Sequence, residues 1–139
     1  MASVRLRSRR GFTLVETALV VVLAGMLLAI AAPRFTAMRN GFLIDTAANQ
    51  LAGDLRRAQV EAIKRNQTIT VAKTATTTYS ITQIGNRTFE PGIEFAAGAM
   101  TVSFASFGPP TGGGATFTLN YGGRAKAVTV GANGLVTVQ

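Results

Sequence analysis

The chain has 139 residues, enough for one folded domain and a leading segment, and it contains no Cys, no His and no Trp. That composition excludes thiol nucleophiles, imidazole bases, disulfide staples and Cys or His metal centres, and it implies no cofactor. The formal net charge of +8 suggests nucleic acid, but Arg5, Arg7, Arg9 and Arg10 crowd the first ten residues, and without them the balance falls to about +4, ten basic against six acidic residues. A basic cluster ahead of an apolar run is first a topology signal.

The apolar run follows directly. Ala18 to Ala32 lacks any polar side chain, and extension back to Phe12 adds only Thr13, Glu16 and Thr17 as interruptions. At about 1.5 Å per residue this is roughly 30 Å of helix, enough to cross a bilayer core. The positive-inside rule puts Met1 to Gly11 in the cytoplasm and the remainder outside. Three arrangements compete: a secretory signal peptide cut near Ala29-Ile30-Ala31, a plain anchor, and a processed segment whose cut precedes the apolar run.

The residues Arg9-Arg10-Gly11-Phe12-Thr13-Leu14-Val15-Glu16 favour the third. This stretch resembles the prepilin peptidase site of type IV pilins and type II secretion pseudopilins. The resemblance implies a cut after Gly11, N-methylation of Phe12, and Glu16 as the acid used in subunit assembly. It implies as partners the prepilin peptidase, other pilin or pseudopilin subunits, and the bacterial inner membrane. The chain would be single-pass, its N-terminus cytoplasmic and its head periplasmic or otherwise extracytoplasmic, before incorporation into a filament.

Glu16 fits this on physical grounds. A carboxylate at mid-bilayer costs about 2.5–3.5 kcal/mol on insertion scales, and the segment holds no Lys or Arg to pair with it. Cleavage before Phe12 would create an α-ammonium group one helical turn away, available to a neighbour displaced along the axis. Stabilisation by the positive end of the helix dipole is the plainer account. Further on, Gly25 and Pro33 weaken the helix. The resemblance implies unwinding between them on assembly; a Pro-kinked membrane helix fits as well.

Beyond Pro33 the helical period continues through Phe35, Met38, Phe42, Ala48, Leu51, Leu55, Ala58 and Ala62, with polar residues between. This predicts an amphipathic helix whose apolar stripe packs on a β-sheet and which ends at Asn66. Leu51 to Asn66 resembles the helix end of the GspH/FimT-like family. Leu55, Ala58 and Ala62 match its pattern, and Gln59 stands where Arg is commoner.

Seven short strands are predicted in the second half: 68–72, 78–82, 93–95, 101–104, 116–120, 127–130 and 135–138. Gly85-Asn86, Pro91-Gly92, Pro109-Pro110, Gly112 to Gly114, Gly122-Gly123 and Asn133-Gly134 read as breakers. The Gly112 to Gly114 run lacks the Lys and Ser/Thr of a phosphate loop. The fold class expected is α+β. A long N-terminal helix, membrane-spanning and then amphipathic, packs on a small antiparallel β-rich head. The segments are 1–11 (leader), 12–33 (membrane and assembly helix), 34–66 (amphipathic helix) and 67–139 (head).

No catalytic constellation stands out, and Glu90 and Glu94 flank a Pro-Gly turn, so no enzyme is expected. The function implied is a minor pseudopilin-type structural subunit of a type II secretion pseudopilus. The alternative is a FimT-like minor type IV pilin that binds DNA weakly during uptake. For that role Gly123-Arg124-Ala125-Lys126 partly matches a Gly-Arg-x-Arg-like motif and makes Arg124 and Lys126 the candidate DNA contacts. Two cations give little affinity at physiological salt. A membrane-anchored structural protein outside any filament is the third class, against which the leader motif and Glu16 argue.

Overall fold

The computed structural model describes residues 12–139. The expected leader and Gly11 lie outside the described residues. One helix, α1, runs Leu14–Arg65. Asn66 stops it: this residue takes a left-handed φ of 51°. Its N–H donates to the Ile63 carbonyl (3.2 Å), and the Gln67 N–H donates to the Ala62 carbonyl (3.1 Å). This double bond pattern satisfies carbonyls the helix leaves open, and Asn is among the few residues that tolerate the required φ. The chain divides into two compact units between Thr36 and Ala37.

The second unit holds nine strands: β1 (Ile69–Lys73), β2 (Thr78–Ile81), β3 (Gly85–Thr88), β4 (Glu94–Phe95), β5 (Thr101–Phe104), β6 (Pro110–Thr111), β7 (Ala115–Tyr121), β8 (Arg124–Val130) and β9 (Val136–Val138). They form two antiparallel sheets, ordered β3-β2-β1-β5-β6 and β4-β7-β8-β9. Two of these strands, β3 and β6, fall where breakers were expected. Both are edge strands, and an edge tolerates Gly and Pro because one row of ladder bonds is not required there. β8 also begins earlier than expected, at Arg124 rather than Ala127.

The inner faces of both sheets and one face of α1 close a single core. From α1 come Ile44, Ala47, Ala48, Leu51, Leu55, Ala58 and Ala62, recurring at three or four residues and all buried. The alanines let the strands approach the helix closely. Val71, Ile81 and Phe104 cover it from the first sheet, and Phe117, Leu119 and Val128 from the second. Each large side chain so buried stabilises by about 1.5–3 kcal/mol. Tyr79, Phe89, Phe95 and Phe117 bridge the sheets, with successive ring centroids 5.3, 5.1 and 6.3 Å apart.

One part of the predicted stripe is corrected. Phe35, Met38 and Phe42 are 71%, 77% and 71% exposed. On a helix Phe42 lies about 200° around from Ile44, so a sheet that covers one cannot cover the other.

Strand alternation turns hydroxyls outward on both sheets. Thr70 and Ser103 share a hydrogen bond of 2.8 Å, Thr78 and Thr88 one of 3.3 Å, and Thr116 and Thr129 one of 3.3 Å. No Lys or Arg sits on these outward faces among the described strands.

Candidate assembly site

The N-terminal segment is built for cover by something other than this chain. Thr13 caps α1: the Glu16 N–H donates to Thr13 Oγ1 at 3.2 Å, and the Thr17 N–H donates to the Thr13 carbonyl at 3.1 Å. The spacing Thr13-x-x-Glu16 is that of a capping box, in which an acid at the third helical position complements exposed N–H groups and the helix dipole. Thr17 Oγ1 donates to the Leu14 carbonyl (2.8 Å), so this hydroxyl is satisfied without water. Phe12 is 80% exposed, immediately ahead of the cap. Leu14, Val15, Leu19 to Leu23, Met26 to Leu28 and Ile30 are all more than half exposed. Glu16 is the sole ionisable side chain from Phe12 to Ala32. The helix is long and apolar enough to cross a membrane. An apolar surface this continuous needs lipid or other helices around it.

Arg124 and Lys126 are brought together on one face of β8, Arg124 exposed at the strand's start and Lys126 half-buried. They share the strand face of Val128 and Val130, which are buried. Lys126 Nζ lies 3.1 Å from Asp45 Oδ1 of α1. Arg124 extends over Gly41, where a methyl group would meet its guanidinium at 3.5 Å, and Gly122 lies against Asn40 with no room for a side chain. The β7–β8 hairpin thus clamps the stretch Asn40–Asp45. Arg124 also borders a shallow concavity of about 370 Å³ with Glu94, Asn120 and Tyr121. The Glu94 carboxylate there repels a phosphate.

A further polar cluster was not anticipated. Tyr79 Oη donates to Asp54 Oδ2 at 2.6 Å, and Arg87 Nε lies 3.6 Å from the same oxygen. Burial, then the Asp54 acceptor, push the Tyr79 phenol well above its ordinary value. The signal available in the sequence was Asp54, an acid beside the core position Leu55. Elsewhere the Arg65 guanidinium bonded to Glu61 (3.0 Å) holds that carboxyl below its usual range.

The model of the GspH family, described as type II transport protein GspH, matches residues 47–134. The chain belongs to the GspH family. A second model, the prokaryotic N-terminal methylation motif, matches residues 6–32. The pilin-like protein PilA1 of Thermus thermophilus is 38% identical over 95 residues, which are 65% of this chain and 59% of PilA1. The chain thus spans less than two thirds of that relative's length. Two crystal structures of the type IV minor pilin FimU of Pseudomonas aeruginosa share the fold. One has a TM-score of 0.57 at 14% identity, covering 68% of this chain and 91% of FimU. The other has 0.59 at 15%, covering 75% and 92%.

The GspH match begins at Ala47 and ends at Gly134, so it takes in most of the packed part of α1 and nearly all of both sheets. Within it, Gln59 has a structural seat. Its amide lies against Gly134, where a side chain would meet Nε2 at 2.5 Å, and beside Gly108. Gly134 has φ +82° and Gly108 +104°, conformations that glycine adopts freely.

Proposed function

We propose that this GspH-family chain is a minor pseudopilin-type structural subunit of a type II secretion pseudopilus, assembled through its N-terminal helix. The observation that carries this is the exposed apolar face of α1, interrupted by one carboxylate a single turn beyond Phe12. In this reading residues 1–11 are a leader, the prepilin peptidase cuts after Gly11, and Phe12 becomes the methylated N-terminus. Segment 12–33 spans the inner membrane and later the filament, 34–66 carries the head, and the head 67–139 lies outside. The ammonium of one subunit's Phe12 neutralises Glu16 of its neighbour as both leave the lipid.

Intact-mass analysis of membrane-extracted protein tests the processing step. Loss of residues 1–11 with one added methyl group is expected; retention of Met1 in cells with an active peptidase would sink the reading. Deletion in the source organism tests the machine: export of folded periplasmic enzymes should fail while DNA uptake continues. The DNA-uptake alternative relies on Arg124 and Lys126. The Asp45 pairing and the nearby Glu94 weigh against it.

A further inference from the structure

At the C-terminal end of α1, three elements converge on one apolar patch. Val60 and Ile63 of the helix are 50% and 52% exposed, Phe107 of the β5–β6 turn 75%, and Leu135 of the β8–β9 turn 62%. Convergence follows from the glycines beside them: a methyl group on Gly108 would meet Ile63 Cδ1 at 3.3 Å, and one on Gly134 would meet the Gly108 carbonyl at 3.5 Å. Isolated exposed apolar residues are ordinary, whereas several gathered from separate elements mark a contact surface.

Both turns are held rigidly. The Gly108 N–H donates to the Ala105 carbonyl (3.0 Å) and the Ala105 N–H to the Pro109 carbonyl (3.2 Å). In the other turn, Gly131 and Leu135 close a bond of 2.8 Å, Gly134 donates to Gly131 at 2.8 Å, and the Leu135 N–H donates to Asn133 Oδ1 at 3.0 Å. The backbone that carries Phe107 and Leu135 is therefore bonded in place before anything docks, which lowers the ordering cost of an anchor.

The charge around the patch selects the occupant. Arg56, Arg57, Lys64 and Arg65 lie on the same end of α1. Glu61 holds Arg65 at 3.0 Å and Lys64 at 3.9 Å, and among the described residues neither Arg56 nor Arg57 has a carboxylate within ion-pair distance. Arg56 donates to the Val136 carbonyl at 3.0 Å, beside Leu135. A second copy would bring the same excess of cations against itself. We infer that Val60, Ile63, Phe107 and Leu135 form a docking surface for a different protein chain, one that presents apolar side chains rimmed by carboxylates.

Photo-crosslinking of the full chain in its source cells tests this. A benzoylphenylalanine placed at Phe107 should form an adduct with another protein, mapping to a peptide with large apolar residues flanked by Asp or Glu. Thr118, on an outward sheet face, is the control position. Ile63→Asp should cut adduct yield at least tenfold, and Arg57→Glu severalfold. Both residues are exposed, so a thermal melt should confirm that the variants remain folded. An adduct with a second copy, with lipid, or at equal yield from Thr118 would overturn the inference, as would no adduct at all.

Discussion

Lys126 Nζ stands 3.1 Å from Asp45 Oδ1, so a cation of β8 is neutralised by the helix that the strand covers. The pair is partly exposed, at 36% and 51%, and such pairs stabilise by only about 0.2–1 kcal/mol. Its larger effect is on what Lys126 is free to bind. We expect no retardation of duplex DNA by the full chain in detergent near physiological salt. Asp45→Ala should release Lys126 and steepen the salt dependence of any residual binding by about one phosphate contact. Micromolar binding by the unaltered chain that disappears in Arg124→Ala/Lys126→Ala would reverse this view.

Glu16→Leu should leave insertion and processing intact and impair incorporation into filaments. Leucine makes the segment a better membrane span, so nothing is lost at that stage. What goes is the charge proposed to meet a neighbour's ammonium, together with some N-terminal helix stabilisation, worth about 0.3–1 kcal/mol. Normal co-purification of the variant with other pilin-like subunits would refute the pairing.

Tyr79→Phe should cost about 1.5–3 kcal/mol at pH 7, because the lost hydrogen bond goes to a charged carboxylate. The phenol titrates above its unfolded value, so its contribution is complete below about pH 10 and declines above it. The decline should approach about 1.4 kcal/mol per pH unit. Denaturant unfolding from pH 7 to 11 should therefore show the gap between the two proteins narrowing above pH 10. Parallel profiles would mean that the phenol is free to ionise in the folded state.

Two glycines should respond with opposite signs. Gly53 is exposed within α1 with open space around it, so Gly53→Ala should stabilise by about 0.8–1 kcal/mol. At Gly114 a methyl group would run into the Val130 carbonyl oxygen, which is backbone and cannot step aside. Gly114→Ala should destabilise by about 1–3 kcal/mol. Equal melting temperatures for the two variants would contradict the packing described.

What could be read from the sequence was whatever repeats locally. Leu51, Leu55, Ala58 and Ala62 announce the buried helix face by their spacing, and Asn66 announces its end. Phe42 misleads because intervals of three and four cannot separate two faces when both carry apolar residues. Strands β3 and β6 were hidden by Gly85 and Pro110, which punctuate a chain in general but are accepted at a sheet edge. Arg124 and Lys126 were visible as a motif. Their placement on the strand face that leads into the core was not, nor was the Lys126–Asp45 pair, because both depend on where β8 begins and on a residue far away in the chain. The Asp54–Tyr79–Arg87 cluster escaped for the same reason: its three members come from a helix and two strands that only the fold brings together.

The hydroxyl-covered outer faces of the sheets have a practical side. All three lysines of the chain lie elsewhere. Lys64 is beside Glu61 at 3.9 Å, Lys73 donates to the Ala96 carbonyl at 2.7 Å, and Lys126 meets Asp45 at 3.1 Å. At Lys73 and Lys126 an amine-reactive dye would therefore disturb a bond between separate parts of the head. Thr118→Cys, in a chain with no cysteine of its own, offers a single thiol on an outward sheet face away from all three lysines, and so a handle for fluorescent imaging.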